Sequence, residues 1–534
     1  MGDVDSSNFS EAIVSQFSSD LDAASYIAID LEMTGISFPN KSENGSDTVA
    51  FRYSKIRQVA STFGIIQIGV AVFKKDHEAA SVYNFYVFPR PVTEGPVDSV
   101  PLITLCSAST NFNRSHGMDF GRWVDKGITY VTADIEKQLR DCLLNDPNAS
   151  EKAWEKFFSG SSPLDDSIKQ LPEYSSQEAR IVSEVEALLA NEEGVSSYKV
   201  PFVHGGQKWL KSILATVHEK FPNVRLVEEV SGGGSSRVLT KRSNEEIFNE
   251  YVGFRRIWSL MTTKNIPAVF HNGFLDLVFC YQAFENELPD SLVEFKENLK
   301  RLFPGGVFDT RLIAIESNLS MAGSAALETL VDMFGSPDVE VANSGKYNTS
   351  MMDETSVVSP TFHEAGYDAL LTGKVFMGLR SKLNNDVTNW RNCMCISRCL
   401  WVLTIDSPDS DRLLLDCGLG KNRMVRIISD IRQKCSTRDV LNHFDELKAI
   451  MPNLVVNIQW TNDTSGILLF TWTQPSDKTV DAVTTALSSK MIELVKSGGS
   501  LGETAKLSNT NEYVKMQLEE LSPDYIAAQK KFRL

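Results

Sequence analysis

The sequence predicts an α/β fold in its N-terminal half, because strand-like apolar runs alternate there with helical segments. The runs at 26–31, 65–73 and 81–88 are rich in the β-branched and aromatic residues that favour strands. A helix is expected over 132–144, with Thr132 suited to cap its N-terminus. At 534 residues the chain is long enough for more than one domain.

The strand-and-helix pattern stops after residue 145 and resumes at residue 246. The interruption opens near Asn145-Asp146-Pro147 and closes with the Gly-rich run 231–236, and both are turn and linker signals. Beyond it the expected elements are a helix over 246–261, a strand over 267–270 and a helix from Phe274. We therefore predict one α/β domain in two parts, 1–145 and 246–385, with a small inserted α+β domain at 146–245.

A third unit is predicted from residue 386 onward. Its expected elements are strands over 423–428, 455–460 and 466–472, and helices over 437–450 and 480–495. The order strand-helix-strand-strand-helix is typical of a ferredoxin-like fold of the RNA-recognition type. The aromatic residues that usually stack bases on the first strand are replaced by Met424 and Val425. We predict an RNA-recognition-like α+β domain and a tail over 386–534.

The chain is acidic, with 53 Lys and Arg residues, 69 Asp and Glu residues and a formal net charge of −16. Any nucleic-acid binding must therefore use local basic and aromatic patches. No apolar run is long enough to span a membrane, and the polar N-terminus is unlike a signal peptide. The eight Cys residues form no regular framework, which fits a reducing compartment. The group Cys393, Cys395 and Cys399 lacks a nearby fourth ligand and makes a poor zinc site.

Two acidic residues end the first apolar run. Asp30 and Glu32 are two positions apart, so in a strand their side chains project from the same face. Two buried carboxylates held side by side repel each other, and a bound divalent cation removes that conflict. Taken alone, the pair could equally be two solvated acids at a strand end.

Two later segments add candidate ligands to this pair. Asp276 lies inside an apolar stretch that follows a strand end and a polar turn, and Asp368 lies in a helical segment shortly after His363. Four acids with one histidine suit Mg²⁺ or Mn²⁺ rather than Zn²⁺. Two such ions about 4 Å apart can promote a phosphoryl displacement. His363 can then take a proton from the attacking water, because an imidazole titrates near neutral pH.

The order of these segments and their residues resemble those of the DEDDh 3′→5′ exonucleases and, within them, of the poly(A)-specific ribonuclease (PARN-type) deadenylases. The matching motifs are Ile29-Asp30-Leu31-Glu32 with Thr34-Gly35-Ile36, His271-Asn272-Gly273 with Leu275-Asp276, and His363-Glu364-Ala365-Gly366-Tyr367-Asp368-Ala369. Further likeness lies at 63–69, 106–130 and 308–312. The resemblance covers residues 20–385 and, more weakly, the C-terminal part.

The resemblance implies a ribonuclease H-like nuclease domain with a mixed central sheet. Two Mg²⁺ ions, with Mn²⁺ as an alternative, would be bound by Asp30, Glu32, Asp276 and Asp368. His363 would act as the general base. The implied reaction is hydrolysis from the 3′ end of a poly(A) tail, with release of 5′-AMP.

The resemblance also suggests contacts beyond the metal ligands. Met33 and Ile36 would pack on terminal bases, with core packing as the alternative for both. Arg311 would contact a phosphate, with a surface salt bridge as its alternative. Asp309 is expected to cap a helix, with an acid that supports the metal ligands as its alternative. Trp460, at a strand end, would stack a 7-methylguanosine cap unless it belongs to the core.

Members of this family carry a small single-strand nucleic-acid module at the place of 146–245, and they tend to form homodimers. Residues 206–211 and 220–222 are similar to part of that module, but its signature Arg and His are not clear here. The basic residues of this helix are equally explained as a solvated face. The implied partners are single-stranded RNA with a 3′ poly(A) tail, a 5′ cap and a second copy of the chain, without a membrane, in the cytoplasm and/or nucleus.

Two other functions stay open on the sequence. A trimming exonuclease for the 3′ ends of small noncoding RNA would use the same active site with different substrate channels. A catalytically silent RNA-binding protein of the same fold is disfavoured, because loss of activity is expected to be accompanied by loss of at least one of the five site residues.

Overall fold

The computed structural model is organised around a large mixed β-sheet. It describes residues 2–38, 47–75, 79–160, 164–190, 197–231, 234–317, 319, 325–335, 339–343, 362–397, 399 and 401–407, and the strand segments 412–413, 422–429, 455–460, 466–472 and 500–501. In these ranges, no helix combines the length and the apolar character that crossing a membrane requires.

The described elements are as follows in chain order. The strands are β1 (Asp3–Val4), β2 (Ala24–Met33), β3 (Ile65–Lys74), β4 (Ala79–Tyr86), β5 (Ser197–Lys199), β6 (Arg225–Ser231), β7 (Gly234–Thr240), β8 (Ala268–Phe270), β9 (Val307–Asp309), β10 (Glu340–Val341), β11 (Cys393–Cys395), β12 (Trp401–Thr404), β13 (Arg412–Leu413), β14 (Asn422–Ser429), β15 (Val455–Trp460), β16 (Gly466–Trp472) and β17 (Ser500–Leu501). The helices are α1 (Glu11–Asp22), α2 (Val49–Ala60), α3 (Ser107–Ser115), α4 (Phe120–Lys126), α5 (Ala133–Leu143), α6 (Ala149–Phe158), α7 (Asp166–Lys169), α8 (Pro172–Ala190), α9 (Gly206–Lys220), α10 (Asn244–Val252), α11 (Arg255–Thr263), α12 (Phe274–Cys280), α13 (Leu292–Leu302), α14 (Thr310–Glu316), α15 (Leu327–Phe334) and α16 (Ala365–Lys382).

The central sheet has the strand order β1-β4-β3-β2-β8-β9, with β10 also paired to β4. Strand β3 is antiparallel to both of its neighbours, whereas β2, β8 and β9 are parallel to one another. The five strands β4-β3-β2-β8-β9, with β3 alone reversed among them, have the arrangement of a ribonuclease H-like sheet. The predicted fold class of this domain, a mixed sheet flanked by helices, is confirmed.

Side chains along β2 alternate between the two faces of the sheet, so this one strand contributes both to the hydrophobic core and to the candidate site. Ile29 and Leu31 point to one face of the sheet and pack in its large hydrophobic cluster. Tyr26 points to the other face, where it packs against the rings and backbone of α16. Because side chains alternate along a strand, Asp30 and Glu32 leave the sheet on this second face, the one that α16 covers.

The inserted unit comprises α6 to α9 and the three-stranded sheet β5-β7-β6. It has a hydrophobic core of its own, which includes Trp154, Ile181 and Ile213. Strands β6 and β7 are antiparallel, and Ser231 pairs with Gly234, which agrees with the turn signal of the Gly-rich run 231–236.

The helix predicted over 246–261 is wrong in one respect, since it is broken into α10 and α11. Gly253 lies between them with φ of +49°, a conformation that only glycine adopts without strain. A Cβ at this position would also overlap the carbonyl of Thr129. The break lets the chain pair with Tyr130 before the second helix begins.

The strands β14 to β17 form a separate antiparallel sheet in the order β15-β16-β14-β17. This is the order of a ferredoxin-like sheet, and the helices predicted at 437–450 and 480–495 lie outside the described residues. Strands β11 and β12 do not belong to this sheet, and they form a three-stranded sheet with β13. Met394 and Leu403 pack in the hydrophobic cluster of the central sheet, so that core extends beyond residue 385, the predicted end of the first domain.

Candidate metal centre

The end of β2 carries Asp30 and Glu32 to the beginning of α16. Asp30 pairs across the sheet with Gly69 of β3. A Cβ on Gly69 would overlap the carbonyl of Ala365, the first residue of α16. The helix therefore rests directly on the strand backbone, which brings its first turn beside the two strand carboxylates.

His363 and Asp368 come from the start of α16. His363 precedes the helix in a left-handed backbone conformation with φ of 71°. Its backbone N–H donates a hydrogen bond to Oδ2 of Asp368 over 3.0 Å. The helix start is also tied to the sheet, because the N–H of Gly366 donates to Oδ1 of Asn84 over 3.2 Å. The loop and the first turn thus form one fixed unit.

Asp276 reaches the same site from the first turn of α12. The turn before this helix contains Asn272 with φ of 56°, and its N–H donates to Oδ1 of Asp309 over 3.0 Å. Asp309 is fully buried and also accepts from the N–H groups of Arg311 (2.9 Å) and Cys395 (3.0 Å). The expected capping role of Asp309 is confirmed, and it extends to holding the turn that orients Asp276.

Burial and nearby acids raise the pKa of all four site acids. Burial raises the pKa of Asp30 and of Glu32 well above that of an ordinary carboxyl, and the charges of Asp368 and Asp276 raise both further. Burial is also the main reason why the pKa of Asp276 and that of Asp368 rise to about 7. A bound cation would favour the charged forms, so the cluster gains most from a ligand of positive charge.

The donor atoms fit a divalent cation. Glu32, His363 and Asp368 each offer a ligand atom, and these atoms lie within 4.8 Å of one another. Among the described residues, no hydrogen-bond partner contacts the buried Oδ1 of Asp368, although buried carboxylate oxygens are normally paired. Carboxylate oxygens are the ligands that Mg²⁺ and Mn²⁺ prefer. The charge of Asp276 raises the pKa of both Asp30 and Glu32, so these carboxylates lie close enough to interact.

Two aromatic side chains of the α3 region pack against His363. The ring centroids of Phe112 and His116 lie 4.7 Å and 4.4 Å from that of His363. Burial lowers the pKa of His363, and the charge of His116 lowers it further. The imidazole is therefore neutral at pH 7, the state in which it can accept a proton. The sequence contained no periodicity or spacing that pairs Phe112 or His116 with a residue so far along the chain.

The three predicted substrate contacts have different surroundings. Met33 is only 6% exposed and belongs to the hydrophobic cluster, which agrees with the core alternative and leaves little surface for a base. Ile36 is 53% exposed, so its side chain is available to a ligand. Arg311 forms no salt bridge in the described part of the chain, and its Nε is buried without a partner. Burial lowers the pKa of His271, which lies in the turn before α12, and the charge of Arg311 lowers it further.

Trp460 is the last residue of β15 and pairs in register with Gly466. Its side chain and the loop 461–465 lie outside the described residues, so the expected cap contact stays a prediction. The side chains of Cys393 and Cys395 in β11 and of the neighbouring Cys399 are buried. The thiol of Cys399 donates to the carbonyl of Asp47 over 3.3 Å.

The model of the CAF1 family ribonucleases matches residues 4–376. The chain belongs to this family. The match contains all five residues gathered at the site, namely Asp30, Glu32, Asp276, His363 and Asp368. The acidic cluster agrees with the metal dependence of these ribonucleases.

Curated relatives carry more specific names. The chain is 29% identical to "Poly(A)-specific ribonuclease PARN" of Xenopus laevis over 71% of its length and 30% identical to the protein of that name from Homo sapiens over 70%. It is 24% identical to the "Pre-piRNA 3'-exonuclease trimmer" of Bombyx mori over 62%. The chain spans 62% of the length of each of these three relatives. Among solved structures, the RNase domain of the yeast Pop2 protein aligns over 73% of this chain and 88% of that domain. The two have 12% sequence identity and a TM-score of 0.32, so the structural likeness is weak.

Proposed function

We propose that this CAF1 family ribonuclease is a 3′→5′ exoribonuclease that removes poly(A) tails and releases 5′-AMP. The observation that carries the proposal is the convergence of four carboxylates and a neutral imidazole at the junction of β2, α12 and α16. The preference for poly(A) is supported by the names of the PARN relatives, which match over most of this chain.

The acids would serve as metal ligands. Asp30, Glu32, Asp276 and Asp368 would hold two Mg²⁺ ions, or Mn²⁺ in their place. When bound, such ions activate the attacking water and stabilise the oxygen that leaves. The protein contributes a fixed geometry, since the ligands lie on a strand end and on two helix starts rather than on long loops.

His363 would be the general base. Its lowered pKa keeps the ring neutral at physiological pH, so a ring nitrogen can take the proton of the attacking water. The hydrogen bond from its own backbone N–H to Asp368 holds the imidazole next to a metal ligand. Ile36 and Arg311 would contact the RNA, and the burial of Met33 makes it a support of the site rather than a contact.

We further propose a quaternary structure, a location and a cap contact for this protein. The protein would act as a homodimer in the cytoplasm and/or nucleus, and Trp460 at the end of β15 would stack a 5′ cap. If so, Trp460→Ala should weaken binding of a capped dinucleotide by about 1–3 kcal/mol, the scale of base–aromatic stacking. Degradation of uncapped oligo(A) should not change. Equal losses on both substrates, with a lower melting temperature, would assign Trp460 to a core.

A second candidate function is 3′-end trimming of small noncoding RNA. It is supported by the match to the Bombyx mori trimmer, which extends over 62% of this chain. The same metal centre would serve both activities. A catalytically silent RNA-binding role is disfavoured, because all five site residues are present and lie together.

One assay separates these functions. Purified protein with Mg²⁺ is incubated with 5′-labelled RNAs of equal length that end in oligo(A), oligo(U) or mixed sequence. A deadenylase shortens the oligo(A) RNA stepwise, releases 5′-AMP and degrades the other two slowly. Equal degradation of all three RNAs would favour a trimming enzyme. No degradation of any RNA over a range of Mg²⁺ and Mn²⁺ concentrations would leave only the silent RNA-binding role.

A further inference from the structure

Two buried amide side chains of the central sheet hold the start of α16. The first backbone N–H groups of a helix have no acceptor within the helix and need one from elsewhere. The N–H of Ala365 donates to Oε1 of Gln67 over 3.4 Å. The N–H of Gly366 donates to Oδ1 of Asn84 over 3.2 Å. Both amides are buried, so these contacts are not shared with bulk water.

The amides do the work that a capping residue normally does at a helix start. Among the described residues, the side chain of Glu364, at the N-cap position, accepts no N–H of the first turn of α16. A helix N-terminus is usually fixed by such a side chain from its own segment. Here the acceptors come from β3 and β4, so the position of the helix start is determined by the sheet.

These amides also lie in register with the two strand acids. Gln67 of β3 pairs with Glu32 of β2. Asn84 of β4 pairs with Gly69 of β3, which in turn pairs with Asp30. Residues opposite each other on neighbouring antiparallel strands project from the same face of a sheet. The sheet therefore presents the acids and the acceptors for α16 on one face, in two adjacent rows.

Asn84 is further held by the N-terminal strand β1. Its Nδ2 donates to Oδ1 of Asp3 over 3.0 Å, and Oδ2 of Asp3 accepts from Nη1 of Arg122 over 2.8 Å. The backbone N–H of Gly366 only donates and the carboxylate of Asp3 only accepts, so the group between them needs one acceptor and one donor. An amide has both. A carboxylate at position 84 would repel Asp3, and an apolar side chain would leave both partners unsatisfied.

We propose that Gln67 and Asn84 are positioning residues of the nuclease site, and that Asp3 sets the orientation of the Asn84 amide. This inference rests on the proposed function, because it takes His363 as the base and Asp368 as a metal ligand. These two residues are joined by a hydrogen bond, so a shift of the helix start moves both of them. The strand acids would stay where they are. A misplacement of about 1 Å is enough to lower a rate about 10²-fold.

The test exchanges the two partners of one contact. Asn84→Asp places two carboxylates side by side. In Asp3→Asn/Asn84→Asp the amide and the carboxylate have changed places, so both hydrogen bonds can form again. We expect Asn84→Asp to lower kcat on oligo(A) about 10²-fold, with less than about a twofold change in KM. The double variant should regain kcat to within about threefold of Asp3→Asn alone, because the two sites are coupled.

Hydrogen exchange supplies a readout that needs neither metal nor activity. In EDTA, the backbone N–H groups of Ala365 and Gly366 should exchange faster in Asn84→Asp than in wild type, and protection should return in the double variant. Gln67→Met keeps the length of the side chain but removes the acceptor. It should also speed exchange at Ala365 and lower kcat, with little change in KM.

The matched control is Asn298→Asp, the same change at another buried amide. Nδ2 of Asn298 donates to the hydroxyl of Tyr281 over 2.7 Å, and neither residue belongs to the candidate metal centre. This variant should lower the melting temperature without changing kcat or exchange at α16.

Three results would overturn the proposal: an unchanged kcat in Asn84→Asp, no recovery in the double variant, or an equal loss of kcat in the control. If the wild type has no nuclease activity, the proposed function fails. The exchange experiment still decides in that case, because unaltered exchange at Ala365 and Gly366 in Asn84→Asp would show that the sheet amides do not hold α16.

Discussion

The backbone N–H of His363 donates to the carboxylate of Asp368 over 3.0 Å, so one short loop fixes both the proposed general base and a proposed metal ligand. The left-handed backbone at His363 makes this contact possible, because it turns the N–H back toward the helix that follows. Phe112 and His116 pack against the ring from the other side. Displacing either residue would therefore disturb both the proton transfer and the metal centre.

The first prediction concerns the four acids. Replacing Asp30, Glu32, Asp276 or Asp368 by its amide should reduce nuclease turnover below detection, because each acid is needed to place a metal ion. In EDTA the same variants should melt at a higher temperature than wild type, since one of several repelling carboxylates is gone.

The control for the acids is Asp290→Asn, at an exposed carboxylate paired with Arg57 on the surface. It should leave both turnover and melting temperature unchanged. A variant of any of the four site acids with near-normal turnover at saturating Mg²⁺ would remove that residue from the ligand set.

The second prediction concerns the general base. His363→Ala should lower kcat by roughly 10²–10⁴-fold, the usual contribution of general base catalysis, with little change in RNA binding. Exposed His204→Ala serves as the control and should be neutral. At saturating Mg²⁺ the wild-type rate should rise as the pH increases toward 6.5, because the pKa of His363 lies below that value. A rate that is flat over this range, where chemistry limits, would argue against His363.

The third prediction links pH, metal and stability. The pKa values of Asp276 and Asp368 in the folded, metal-free protein are raised to about 7, above those of the unfolded chain. The folded state therefore binds more protons than the unfolded state between about pH 4 and pH 7, and stability falls as the pH rises through this window. Mg²⁺ binds the deprotonated acids, so it should raise the melting temperature more at pH 8 than at pH 5.5. Equal increments at both pH values, measured by thermal unfolding with Mg²⁺ and with EDTA, would contradict this linkage.

The fourth prediction tests the contact between sheet and helix. Gly69→Ala would place a methyl group against the carbonyl of Ala365, and the start of α16 would have to move. We expect a loss of about 1–3 kcal/mol in the free energy of unfolding, as for other overpacked sites, and a loss of activity larger than this destabilisation explains. Gly64→Ala, five residues earlier, meets no atom within 4 Å and should be neutral. Normal activity of Gly69→Ala would show that α16 can shift without harm to the site.

Local signals allowed much of this site to be predicted from the sequence. The period of two along β2 placed Asp30 and Glu32 on one face, and the predicted cap Thr132 accepts a hydrogen bond from the N–H of Ile135. Contacts between distant segments could not be predicted in the same way. The break at Gly253 depends on the carbonyl of Thr129, which no local pattern reveals.

Contacts between distant segments also explain the other differences between the sequence-based predictions and the structure. The packing of His116 against His363 joins positions far apart in the chain, and the burial of Met33 depends on the cluster around it. The chain after residue 385 looked like the start of a new unit, but Met394 and Leu403 complete the core of the nuclease domain. Sequence periodicity reports which face of an element is apolar, and it does not report which partner covers that face.

The insertion between the two parts of the nuclease domain has a consequence for how the protein is made. Strand β2 pairs in parallel with β8, which leaves the ribosome only after the whole inserted unit has been synthesised. Until then one edge of β2 lies open, and open strand edges promote aggregation. The inserted unit has its own core and can fold during this interval, whereas the active site cannot form before α16 has been translated. A nascent chain that stops before residue 365 is therefore expected to lack nuclease activity, however well its earlier strands have folded.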